Sequence, residues 1–154
     1  MPQLVKGGKY VFGWSTVEDN GKIVIPPEAF SEYRLTSYRT GILMPGSKTS
    51  GGFGLTTLES LRNSPLSGIL ERCPELATFQ VSEGQTVECH GKIYCWVTLH
   101  GNSFSVPIET LKHYGVCPRN ALLVVRGSGR ALGFIVRGPI VEEARKYPEI
   151  ERFH

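Results

Sequence analysis

Ile25-Pro26-Pro27-Glu28-Ala29-Phe30 and Val106-Pro107-Ile108-Glu109-Thr110-Leu111 are two versions of one pattern, set 81 residues apart. In each, a β-branched residue leads into proline, which opens a helix in the first turn, where its missing N–H costs nothing. Glu28 or Glu109 then lies near the positive end of the helix dipole. Phe30 and Tyr33, like Leu111 and Tyr114, are spaced i, i+3 and turn one helix face toward a core. Gly115 caps the second helix, whereas the first has Arg34 at that place and lacks the glycine cap.

The match extends outward. Tyr33 aligns with Tyr114, Leu35 with Val116, Ile42-Leu43-Met44 with Leu123-Val124-Val125, and Gly46-Ser47 with Gly127-Ser128, all at the same offset. Phe53-Gly54-Leu55 meets Leu132-Gly133-Phe134 at 79, and Leu58-Glu59-Ser60-Leu61-Arg62 meets Val141-Glu142-Glu143-Ala144-Arg145 at 83. The offset changes only where turns are expected, as loop insertions should. Upstream, residues 10–17 and 92–99 are rich in β-branched and aromatic side chains and predict strands. Asn20-Gly21 is a two-residue hairpin signal, followed by short strands at 22–25 and, in the second copy, 103–106. Strands at 41–44 with 53–56, and 121–125 with 131–136, flank glycine-rich tips. Short helices at 58–63 and 140–146 close each copy. The expected organisation is a first repeat over 8–63, a connector over 64–91 that Pro65 and Pro74 keep free of long elements, and a second repeat over 92–148.

The whole chain has 154 residues, 40% of them apolar and 20% charged, which describes a folding domain and not a disordered tail. Eighteen Gly and ten Pro exceed the average of roughly 12% for the two together and imply many turns. The longest aliphatic run, 121–125, is far short of the ~18 residues a membrane span needs. The first fourteen residues lack a signal-peptide core, so a cytoplasmic protein is expected. Cys73, Cys89, Cys95 and Cys117 show no CxxC spacing, so four reduced, mostly buried thiols are expected, with no metal site.

The order strand, turn, Gly-Lys, strand ending Ile-Pro, short helix and β-hairpin, carried by Asp19-Asn20-Gly21-Lys22-Ile23-Val24-Ile25-Pro26-Pro27-Glu28, resembles the AbrB/SpoVT family of swapped-hairpin DNA-binding domains. Two units in one chain are similar to the MraZ-like tandem members of that superfamily. The resemblance covers about 50 to 60 residues per copy and implies a mainly β fold with short helices. In it two tandem AbrB-like repeats would build a pseudo-twofold swapped-hairpin β-barrel of the cradle-loop type. It also implies transcription regulation through double-stranded DNA, and no cofactor. Homo-oligomerisation through the barrel or the connector is left open. The second copy departs from the pattern, with Asn102-Ser103 in place of Gly21-Lys22. Where DNA-binding members carry adjacent arginines on the helix, this chain has Phe30-Ser31 and Leu111-Lys112.

Net charge is only +3, but it is unevenly spread. No acid lies between Glu32 and Glu59, a window holding Arg34, Arg39 and Lys48, or between Glu109 and Glu142, a window holding Lys112, Arg119, Arg126, Arg130 and Arg137. Together the windows carry +8, leaving −5 elsewhere. Folding could gather these cations into a phosphate-binding cluster, or strand alternation could point them to different faces. The expected DNA-phosphate contacts are Lys22, Arg34, Arg39, Lys112, Arg119, Arg126 and Arg130. Gly127-Ser128-Gly129 reads as a hairpin turn, since it lacks the Walker lysine and precedes a strand. The four histidines show neither HxH nor HExxH spacing, so no enzyme is expected. The alternative function is an AbrB-fold module that has lost DNA binding and holds a protein or small-molecule ligand.

Overall fold

In the computed structural model, residues 10–127 and 130–154 are described, and the order of elements in the first half recurs in the second. The first run is β1 (Val11–Thr16), β2 (Lys22–Val24), α1 (Pro27–Glu32), β3 (Thr40–Pro45), β4 (Phe53–Thr56) and α2 (Leu58–Arg62). Two short helices, α3 (Gly68–Arg72) and α4 (Glu75–Thr78), and strand β5 (Val87–Cys89) follow. The second run is β6 (Lys92–Thr98), β7 (Ser103–Ser105), α5 (Ile108–His113), β8 (Ala121–Arg126), β9 (Leu132–Ile135) and α6 (Pro139–Ala144), with β10 (Arg152–Phe153) at the end.

The strand pairings cross between the two runs. β1 pairs with β8, β3 with β6, β4 with β9 and β2 with β7, all antiparallel, and only the β3–β4 and β8–β9 hairpins pair within a run. The result is a mixed eight-stranded sheet in the order β10-β1-β8-β9-β4-β3-β6-β5, with β2 and β7 forming a separate two-stranded ribbon. Only β1 and β10 run parallel. Among the described residues the sheet's hydrogen bonding ends at β10 and β5 and does not close on itself.

Alternation along the strands builds three layers. Phe12, Leu43, Phe53, Leu55, Leu122, Val124 and Phe134 turn to one face, where Ile23 and Phe104 of the ribbon cover them together with Ala29 of α1 and Leu111 of α5. Phe53 sits at the centre, stacked on Phe134 at 5.1 Å and edge-on to Phe104 at 6.1 Å. The alternate residues face the other way in two groups. Ile42 and Tyr94 lie under α2, α3 and α4, and Trp14, Leu123 and Val125 lie under α6 and Ile150. Strands buried on both faces are continuous apolar runs, as in Leu122-Leu123-Val124-Val125.

Several expectations need correction. Asn20-Gly21 does form a turn, with Gly21 N–H donating to Glu18 O at 2.9 Å, but no hairpin ladder follows, because β1 enters the large sheet and β2 pairs with β7. Gly21 takes φ +86, and a Cβ there would sit 2.1 Å from Val106 O, so the turn needs glycine for a close approach as well as for its dihedral. Arg34 itself adopts the left-handed cap conformation, φ 55 and ψ 38, at the place that Gly115 fills in the second run. The connector holds only short elements, as its prolines imply, and Val87 and Cys89 turn inward to bring β5 onto the sheet edge. The last helix covers Pro139–Ala144 and not 140–146. Residue 8, the expected start of the first repeat, and Ser128-Gly129 of the second tip lie outside the described residues.

Candidate nucleic-acid interface

Of the seven expected phosphate contacts, several are engaged by carboxylates of the same chain. Arg126 ends β8, where the strand leaves the sheet, and its guanidinium makes two 2.6 Å hydrogen bonds to the Glu32 carboxylate at the end of α1. It also stacks over the Tyr10 ring at 4.7 Å. The Arg126 hydrogen bonds hold the Glu32 carboxyl below its usual range, against the opposing effect of burial. Fork-to-carboxylate pairing of this kind uses the same donors that a phosphate would need. Arg119 behaves likewise: its Nε and Nη2 reach Asp19 at 3.0 and 3.3 Å, and these bonds depress the Asp19 carboxyl. Lys22 lies 4.0 Å from Glu18 and Lys112 lies 3.5 Å from Glu109. Four of the seven cations therefore face a carboxylate of the same chain.

Asp19 and Glu32 come from outside the acid-free windows. Strand exchange brings them in, across 100 residues for Asp19–Arg119 and 94 for Glu32–Arg126. The charge polarity of the linear chain is thereby partly cancelled in three dimensions.

What remains divides between two clefts, each built from the end of one run's helix and the other run's hairpin tip. The first, about 240 Å³, is lined by Arg34, Arg130, Glu32, Tyr38, Thr57 and Ser60. Tyr38 Oη donates to the Glu59 carboxylate, and Thr57 Oγ1 accepts the Ser60 N–H at 3.1 Å to cap α2. The second, about 220 Å³, gathers Arg137, His113 and Gly115 against the 46–52 tip, where Arg137 Nη2 donates to Lys48 O at 2.9 Å. Because Phe53 pairs with Phe134 and Leu55 with Leu132, the two tips stand at opposite ends of the β4–β9 ladder. Arg39, exposed just before β3, is in neither cleft's lining, and its carbonyl accepts the Leu99 N–H at 2.8 Å.

The residues missed by sequence reasoning are the neutralising acids and the Tyr38–Thr57 wall. The only signal for Glu32 was its place at the very edge of an acid-free window, which does not reveal a partner 94 residues away. Among the cysteines, Cys73, Cys89 and Cys95 are buried thiols and Cys117 is exposed. Burial pushes the Cys95 thiol up to about 12, so it is not a thiolate at neutral pH. No group of three or more metal-ligating side chains occurs among the described residues, and none of their helices is long and apolar enough to cross a membrane. Compared with models of known families, with curated proteins and with solved structures, the chain matches none.

Proposed function

We propose that this chain is a tandem AbrB/SpoVT-like protein in which two swapped-hairpin units complete one another, and that it works as a binding module for a small-molecule or protein ligand. The pairing of β1 with β8, β3 with β6, β2 with β7 and β4 with β9, each joining one run to the other, supports the swapped-hairpin part of this reading. The single observation that carries the functional part is the pairing of Arg119 and Arg126 with Asp19 and Glu32. A duplex phosphate would have to compete with a bidentate intramolecular carboxylate at each site, which lessens the electrostatic contribution of these two arginines to DNA affinity.

Transcription regulation through double-stranded DNA is the second reading. Arg34 and Arg130 favour it by lining one cleft. A salt series with random duplex DNA separates the two. A phosphate reader binds with Kd of roughly 10⁻⁴ to 10⁻⁶ M, and log K falls with log salt by about 0.9 per phosphate neutralised. The proposed module shows no such affinity at low salt. Saturable binding with a slope of several units would overturn it in favour of the DNA reading, in which Lys22, Arg34, Arg39, Lys112, Arg119, Arg126 and Arg130 are the residues to substitute.

A further inference from the structure

The chain has two tryptophans, and they occupy matching places. Trp14 lies on β1 between β10 and β8, and Trp96 lies on β6 between β5 and β3. Both turn to the sheet face away from the central core. Their surroundings differ. Trp96 is covered by the connector: Phe79 packs edge-on against its indole at 4.8 Å, and Val81 O accepts its indole N–H at 2.8 Å. Trp14 instead borders a cavity of about 350 Å³, lined also by Asn120, Val136, Tyr147, Ile150 and Arg152. That volume lies at the lower end of the roughly 300–1,000 Å³ typical of small-ligand pockets.

Two donors beside this cavity, the Trp14 indole N–H and the Arg152 guanidinium, are not engaged by an acidic side chain of the described residues. The Trp14 indole N–H has no acceptor among the described residues. No buried side-chain nitrogen or oxygen among them goes without a partner, so the small exposure Trp14 retains, 5%, includes this N–H. The Arg152 guanidinium lies over the Trp14 ring at 5.8 Å and is paired with no carboxylate among the described residues. Arg145 also lines the cavity, held by Glu142 at 2.7 Å. No carboxylate is among the lining residues. Val136, Ile150 and the indole supply an apolar wall beside these donors. At Trp96 the chain itself supplies an aromatic ring and a carbonyl oxygen to the indole, and a ligand with a ring and an acceptor oxygen offers the same two kinds of contact to Trp14.

We infer that the Trp14 cavity binds a small aromatic carboxylate, whose carboxylate accepts from the Trp14 indole N–H and the Arg152 guanidinium while its ring lies against the apolar wall. This names a ligand class for the binding role proposed above and rests on that role. Its failure is nonetheless read separately, since duplex binding is measured by salt dependence and the cavity by indole signals.

Two tryptophans give two indole N–H signals in a ¹H–¹⁵N spectrum, assigned with Trp14→Phe and Trp96→Phe. Titration with benzoate, phenylacetate and indole-3-acetate should shift the Trp14 signal saturably, with Kd of ~1 mM or tighter, and leave Trp96 unmoved. Arg152 is exposed, so Arg152→Ala should keep the Trp96 signal in place and weaken binding about tenfold or more, as loss of a charge-assisted hydrogen bond does. Four outcomes would each overturn the inference: no shift at millimolar probe, equal shifts of both indoles, an equal response to benzyl alcohol, or an equal response to inorganic phosphate. Unchanged affinity in Arg152→Ala would overturn the role of that residue and with it the anion site.

Discussion

Phe53 of β4 and Phe134 of β9 come from opposite halves of the chain, are each 1% exposed or less, and stack at 5.1 Å with an interplanar angle of 20°. If the two runs are halves of one cooperative unit, removing either ring must destabilise the whole molecule. Truncation of a fully buried phenylalanine costs roughly 3–5 kcal/mol in lost transfer energy and residual cavity. At about 3 °C per kcal/mol for a chain of this size, Phe53→Ala and Phe134→Ala should each lower Tm by about 12 °C, in a single transition. The rings also interact directly, which adds roughly 0.5–1.5 kcal/mol beyond area burial. A double-mutant cycle with leucine at both positions, chosen so that the double variant stays folded, should show coupling of that size by denaturant unfolding. Additivity within ~0.3 kcal/mol, or two separate transitions with only one displaced, would refute the interdependence of the runs.

Two further perturbations follow from single residues. Gly21 and Gly91 both take positive φ, +86 and +76, but a Cβ at Gly21 meets Val106 O at 2.1 Å while one at Gly91 meets nothing within 4 Å. Gly91→Ala should therefore cost only the left-handed backbone penalty, about 1–2 kcal/mol, and Gly21→Ala distinctly more; equal losses in chemical denaturation would contradict the close approach. Cys95 carries a thiol raised by burial from 9.0 to about 12. The folded state disfavours its thiolate, so the contribution is fully present below pH 9 and is lost as pH rises toward 12. The loss is about 1.4 kcal/mol per pH unit. Cys95→Ala should lessen the stability lost between pH 9 and 10, measured by guanidinium unfolding, by about 1 kcal/mol, and an unchanged fall would show that the thiol is not buried as described.

Local elements were legible because their causes are local. Proline at the head of α1 and α5, the turn chemistry of Asn20-Gly21, and β-branched runs ending at glycine act over a few residues, so most element positions follow within one or two residues from the chain itself. The repeat could be read for the same reason, as the same local instructions occur twice. Arg34 marks the limit: nothing near it announces a left-handed cap, and the conformation at φ 55 goes with the bend between α1 and the following Leu35–Ser37 turn.

Partner choice was decided by the tertiary structure alone. Alternating apolar residues specify that a strand is buried but not which strand lies beside it, because any neighbour with a matching pleat can satisfy its hydrogen bonds. Exchange between the halves set Asp19 against Arg119 and Glu32 against Arg126, so a chain with two strongly cationic windows became a molecule in which part of that charge is internally matched. It also separated two tryptophans that the repeat makes equivalent. One is closed over by the connector and the other borders a cavity, since what packs on an outer sheet face depends on which distant segment reaches it.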